Sequence, residues 1–250
     1  MTESEAMPPS YPPPSKEEKA VESKKSMIAA TVSFFLEFFT VLAIALLIAA
    51  VVKTYLLQAF EIPSESMENT LVPGDRIVVN KLAHDAASLH RGDVIVFVDP
   101  GGWLPDKPQY EQNPVSKAIT SFGQAVGLLP QNVGDHLVKR VIGLPGDKVE
   151  CCTADGKVTV NGKPITETYL KPGVKPSDEK FSVTVPQNHL WVMGDNRNRS
   201  ADSRFHQNQS GFGFVPMDNV EGRAWLTIYP FNRFGRLSDH GSVFDGVPHP

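Results

Sequence analysis

The chain has 250 residues, 41% of them hydrophobic and 21% charged, with a formal net charge of -4. At roughly 150 residues per domain, that is one folded domain with additions rather than a globally disordered polymer. No basic excess exists to neutralise a phosphate backbone, so no nucleic-acid partner is expected. Two cysteines exclude a disulfide-dense scaffold and a four-cysteine zinc site.

Residues 1–25 are charged and Pro-rich, without an aliphatic cluster to bury, which predicts a disordered tail. The composition inverts after Lys24 and Lys25: across 27–57 the only charges are Glu37 and Lys53, and 38–52 carries none. A membrane helix needs about 20 mostly apolar residues, and 38–57 reaches that length if Lys53 snorkels its ammonium to the headgroups. A cleaved secretory signal fits poorly, because signals start near the N-terminus and carry an apolar stretch of about 7–15 residues. A buried core helix fits less well, since the run is apolar all round. Residues 26–57 are therefore predicted to be an uncleaved signal-anchor in a lipid bilayer. Lys16, Lys19, Lys24 and Lys25 precede the span and Lys53 alone follows closely. Basic residues stay inside, so the N-terminus is expected in the cytoplasm and the rest outside the cell membrane, crossed once.

Residues 58–235 read as short β-branched runs at 75–82, 92–98, 136–142, 147–151, 157–160, 181–185, 189–193 and 223–229. Pro-Gly at 73, 145 and 172, Asp-Gly at 155 and Asn-Gly at 161 punctuate them. KVTV–NG–KPI predicts a hairpin, because Asn-Gly accepts the positive φ angles of a type I′ turn. Without helix-length periods between the strands, the fold class is mainly β and mostly antiparallel. Residues 99–135 form a long insertion, with helical spacing over 115–129, and 236–250 a C-terminal tail.

The chain contains no G-x-S-x-G, no H-E-x-x-H and no phosphate-binding loop. Its seven histidines show no metal-like spacing, so neither a metal nor a cofactor is expected; His136 and His189 begin strands. Three segments stand out. IPSESMENTL (62–71) carries alternating Ser64 and Ser66, which could be plain turn formers. HLVKRVIGLPGD (136–147) places Lys139 inside an apolar strand, where a lysine is ordinarily an edge residue. MGDNRNRSADSR (193–204) could be a solvated loop. Together they have a sharper meaning. A serine hydroxyl needs a base to become a nucleophile, and a lysine serves if apolar surroundings keep it neutral.

In this order, and after a membrane anchor, PSxSM, KRVIGLPGD and GDNRxxSADSR resemble the signature boxes of bacterial type I signal peptidases, membrane serine proteases of the Ser-Lys class; the likeness includes GDVIVF (92–97) and runs from about 54 to 230. It implies a coiled antiparallel β-sheet catalytic domain, with Ser66 as nucleophile and Lys139 as base. Ser64 matches the family hydroxyl that joins the Ser66 backbone N–H in an oxyanion hole, and Ser200 the serine that orients the lysine. Asp202 and Arg204 match a supporting ion pair. The implied partners are exported, signal-peptide-bearing preproteins, cut after small-x-small sites such as Ala-x-Ala. The substrate would lie extended between Ala59, Phe60, Glu61 and Ile62 on one side and His136, Leu137 and Val138 on the other, by backbone augmentation.

Two positions depart from the pattern: Glu65, between the serines, where small or neutral residues are common, and Asn198-Arg199 in place of Asp-Asn. Cys151 and Cys152 are adjacent; a vicinal bridge and a pair of free thiols remain equal alternatives. Outside the family, a cytoplasmic Ser-Lys protease would not need the anchor. A membrane-tethered adhesin or scaffold would leave the joint presence of Ser66, Lys139 and Ser200 unexplained.

Overall fold

A computed structural model describes residues 16–105, 121, 135–209 and 211–250. By backbone contacts the chain divides into residues 1–48 and 49–250. A single helix, α1 (Lys16–Tyr55), dominates the first unit and enters the second. Its stretch Met27–Val52 has a mean hydropathy of 2.7 and none of it is buried against protein. That length and composition suit a membrane crossing. The helix begins earlier than the tail expected over 1–25 would allow: residues 16–25 are already helical. Glu, Lys and Ala are good helix formers, and the apolar span supplies a long helix onto which their first turns extend.

The second unit is built of strands. In chain order these are β1 (Leu57–Glu61), β2 (Arg76–Asn80), β3 (Val94–Val98), β4 (His136–Gly143), β5 (Lys148–Cys151), β6 (Val158–Val160), β7 (Lys163–Pro164), β8 (Phe181–Thr184), β9 (His189–Met193), β10 (Val215–Pro216), β11 (Val220–Tyr229) and β12 (Gly235–Arg236). Among the described residues they make an eight-stranded sheet, β1-β2-β11-β3-β4-β9-β10 with β12 beside β11, and a four-stranded sheet, β7-β6-β5-β8. Each pairing is antiparallel. β4 leads through a turn into β5 and so joins the two sheets.

Burial follows position in the sheet. The edge strand β1 alternates between buried and partly exposed residues, as one solvated face requires. β3 and β4 lie centrally and are buried almost throughout. Phe60, Ile77, Val79, Val96 and Val138 pack into one apolar cluster; Ile95, Phe97, Leu137, Val141 and Val192 pack into another. Each such side chain contributes about 1.5–3 kcal/mol on burial. The third cluster lies against the smaller sheet, around Trp191, Val149 and Val158. The hairpin between β6 and β7 turns at Asn161 (φ 52°) and Gly162 (φ 78°), the left-handed pair its sequence predicts.

One further region differs from the sequence reading. Residues 236–250 are not a tail: Phe244 and Val247 are buried in the third cluster, and Pro248 O accepts from Arg91 and Asn161. The few apolar residues of this stretch, Leu237, Val243, Phe244 and Val247, follow neither a strand nor a helix period, so their burial was hidden. The helix expected over 115–129 lies outside the described residues, apart from the helical Ser121. Cys151 and Cys152 are joined to each other.

Candidate active site

The segment carrying Ser66 is pinned by its own neighbours. Met67 and Leu71 are buried in the cluster under β2, and residues Glu65–Met67 form a single 3-10 turn. Ser66 O accepts the Asn196 N–H (3.0 Å), and Asn196 Nδ2 donates to Glu65 O (3.0 Å). The Ser66 segment is thereby tied to the turn after β9. Ser66 Oγ points at β4, where Lys139 Nζ donates to it at 2.7 Å and to Val138 O at 3.1 Å. Ser64 Oγ lies 3.2 Å from Ser66 Oγ.

The lysine is dry. Lys139 is 3% exposed and Ser66 6%. Burial, helped by the Arg204 guanidinium and opposed by the Asp202 and Asp195 carboxylates, lowers the Lys139 pKa from 10.5 to about 8. The amine is therefore neutral in a larger fraction near neutral pH than an ordinary lysine, and it lies within hydrogen-bond reach of the Ser66 hydroxyl. Among the described residues no carboxylate forms an ion pair with it.

The third segment forms the floor. Gly194 packs against Ser200 and the carbonyl of Ser66 so closely that a Cβ there would collide with both. Its N–H donates to Asp202 Oδ2 (2.9 Å). Arg204 grips the same carboxylate, through Nε to Oδ1 (2.8 Å) and Nη2 to Oδ2 (2.9 Å). Burial pushes the Asp202 carboxyl up, but Arg204 and the Gly194 N–H outweigh it and hold the group below its ordinary value. The Ser200 hydroxyl is buried beside Asp202 and helps to hold that carboxyl low. The hydroxyl is close to the site, yet no bond joins it to Lys139.

Other buried groups had no role in the sequence reading. Arg140, next to the lysine, makes a two-pronged bond to Asp195 (Nε–Oδ1 2.8 Å, Nη2–Oδ2 2.6 Å) and covers the Tyr169 ring at 4.3 Å. Thr70 Oγ1 also donates to Asp195, so one carboxylate joins all three motif segments. Arg197 binds Glu167, which accepts the Tyr169 hydroxyl (2.7 Å). Arg91 binds Asp147 (2.6 and 2.7 Å). The lettering of the motifs contained Arg140 and Asp195, but a separation of 55 residues hid their pairing. The two departures, Glu65 and Arg199, form an exposed ion pair with each other.

The strands expected to hold a substrate end at one small pocket. β1 is the last strand of its sheet, and β9 pairs with β4 only from Arg140 onward. Both β1 and the His136–Val138 stretch of β4 therefore present an unpaired edge. Ile62, His136, Leu137 and Val138 line the pocket together with Ser66 and Lys139. Its volume is about 90 Å³. Ala59, Phe60 and Glu61 do not line it: Phe60 is in the core with its ring against His136 at 5.3 Å, and Glu61 pairs with Arg76. Among the described residues no cluster of three or more His, Cys, Asp or Glu is placed to hold a metal.

Comparison with known proteins gives the family. The family described as signal peptidase, peptidase S26, matches residues 35–229. A probable signal peptidase I of Mycobacterium leprae (strain TN) is 40% identical over 234 residues, covering 83% of this chain and 79% of that protein. A signal peptidase I of Mycobacterium tuberculosis (strain CDC 1551 / Oshkosh) is 38% identical over 219 residues, covering 80% and 74%. A solved signal peptidase I from Enterococcus faecalis V583 is 27% identical with a TM-score of 0.34, covering 54% of this chain and 95% of that one.

Proposed function

The chain belongs to the signal peptidase family, peptidase S26, serine endopeptidases that remove signal peptides, and from that premise we propose that it cuts preproteins after small-x-small sites with a Ser66–Lys139 dyad. The observation that carries the reading is the 2.7 Å contact between a buried Lys139 amine with a pKa near 8 and the Ser66 hydroxyl.

Neutral Lys139 Nζ takes the Ser66 proton as Oγ bonds to the scissile carbonyl carbon, and the carbonyl π pair moves onto its oxygen. The Ser64 hydroxyl and the Ser66 backbone N–H stabilise that oxyanion; losing one such donor costs on the order of 100- to 1000-fold in rate. Lys139 returns the proton to the leaving amine as the C–N bond breaks, leaving the signal peptide joined through its carbonyl as an ester on Ser66 Oγ. It then takes a proton from water, which attacks the ester, and Ser66 Oγ leaves with that proton. Ser200 is the positioning hydroxyl for the amine, and the Asp202–Arg204 pair supports the floor beneath it. The substrate strand pairs with the open edges of β1 and β4, contributing backbone hydrogen bonds. A pocket of about 90 Å³ supports the small-residue rule: a cavity of ~150 Å³ takes benzene, and this one is smaller.

Residues 26–57 anchor the enzyme in the cell membrane with residues 1–25 in the cytoplasm and the catalytic domain, from residue 58 onward, outside. Enzyme and preprotein then share a bilayer, which raises their effective concentration. In right-side-out membrane vesicles, added protease is expected to digest the domain and spare an N-terminal tag. For the chemistry, Ser66→Ala and Lys139→Met are each expected to abolish cleavage of a labelled precursor by the purified, detergent-solubilised protein, with folding unchanged by circular dichroism. Retained cleavage by either variant refutes the dyad.

A further inference from the structure

Resting on that reading, we propose that Leu104, supplied by the inserted segment, closes the pocket beside Ser66 and sets the largest side chain accepted immediately before the cut bond. Among the described residues, the rest of the pocket lining comes from 62–67 or from β4; Leu104 is the exception. It lies outside all three motif segments.

The insertion holds Leu104 in place by construction. The Asp99 N–H donates to Asp135 O at 2.8 Å, closing the neck where the segment leaves β3 and returns to β4. The Asp99 carboxylate then accepts three backbone N–H groups: Gly101 (2.8 Å), Trp103 (3.1 Å) and Leu104 (3.0 Å). Gly101 (φ 122°) and Gly102 (φ 79°) make the reversal that aims those groups inward, a backbone path open to glycine. Trp103 is buried, stacked on His206 at 4.4 Å and edge-on to Phe97 at 5.6 Å. Leu104 follows directly and packs on the cluster that holds Leu137, which also lines the pocket.

Its neighbours in that wall fix what it controls. The pocket contains Ser64, Ser66 and Lys139, so the substrate side chain entering it belongs to the residue whose carbonyl is attacked. A methylene that no longer fits an apolar pocket changes selectivity by about 10- to 200-fold. Removing three carbons of Leu104 makes room for such a side chain; enlarging Leu104 removes room.

The test uses the full-length enzyme in detergent and one precursor with Gly, Ala, Val or Leu before the cut, with product ends identified by mass spectrometry. The readout is the ratio of kcat/KM values within each variant, which cancels any loss of active enzyme. Wild type is expected to prefer Ala over Leu by at least about 100-fold. Leu104→Ala is expected to raise the Leu/Ala ratio tenfold or more, and Leu104→Phe to raise the Gly/Ala ratio. Asp99→Ala, which unhooks the turn while keeping the leucine, should relax the ratio in the same direction. Leu104→Val gives a smaller relaxation and serves if the alanine variant does not fold. Unchanged ratios in the Leu104 variants overturn the proposal while the functional reading stands. Failure of wild type to cut the Ala precursor, or cleavage by Ser66→Ala, overturns the reading itself.

Discussion

Along β4, neighbouring cations meet opposite fates. Lys139 (3% exposed) and Arg140 (0% exposed) are both withdrawn from water. Arg140 enters a polar network: Asp195 takes two of its N–H groups, Gly92 O accepts a third, and Tyr169 offers its ring face. Lys139 meets a hydroxyl and a carbonyl. Burial alone therefore does not decide the charge of a side chain. Arg140 is answered by a carboxylate, whereas Lys139, with neutral hydrogen-bond partners, holds its proton less tightly than an ordinary lysine. One environment ties the motif segments together; the other leaves an amine with a lowered proton affinity beside Ser66.

Lys139→Arg breaks that contrast most directly. A guanidinium stays protonated, so the variant keeps the cation and loses the proton acceptor. Cleavage is expected to fall by about 1000-fold or more, within the range of a lost general base, in the same precursor assay. Removing the network's anion is the next largest change. Asp195→Ala leaves Arg140 buried and unpaired, which is expected to lower stability by about 3–5 kcal/mol, read from chemical denaturation.

The pH profile sharpens the contrast. Below about 8 the lysine is mostly ammonium and cannot accept a proton, so the rate should fall about tenfold per pH unit toward acid. A flat or rising acid limb breaks the reading of a lysine base. The Asp202 carboxylate pulls the amine toward its charged form. Asp202→Asn should therefore move that limb to lower pH; a move to higher pH would contradict the stated cause. The smallest effect is expected at the exposed Glu65–Arg199 pair. Glu65→Gln should change stability by less than about 1 kcal/mol, because solvent screens such pairs.

How far each feature could be read in advance depended on the range of its signal. The β-branched runs marked most of the strands, because a strand's pattern is local. The hairpin at Asn161-Gly162 was legible for the same reason. β1 was named only as part of a substrate path; its LQAFE sequence continues an apolar span, with no turn residue to separate the two. Ser66 and Lys139 were legible because their motif letters travel together. Asp195 was not, since its partners Arg140 and Thr70 lie 55 and 125 residues away. Phe244 and Val247 were hidden in a polar C-terminal stretch.

The amino-acid order by itself determined the apolar span, the antiparallel β character of the domain and the residue types able to attack an amide. Each depends on composition or on spacing of a few residues. Only the tertiary structure decided that Lys139 is dry while Arg140 is paired, that Asp195 joins three motifs, and that Leu104 reaches a pocket beside Ser66. Proton affinity and pocket size depend on which distant atoms surround a group, and folding alone brings those atoms together.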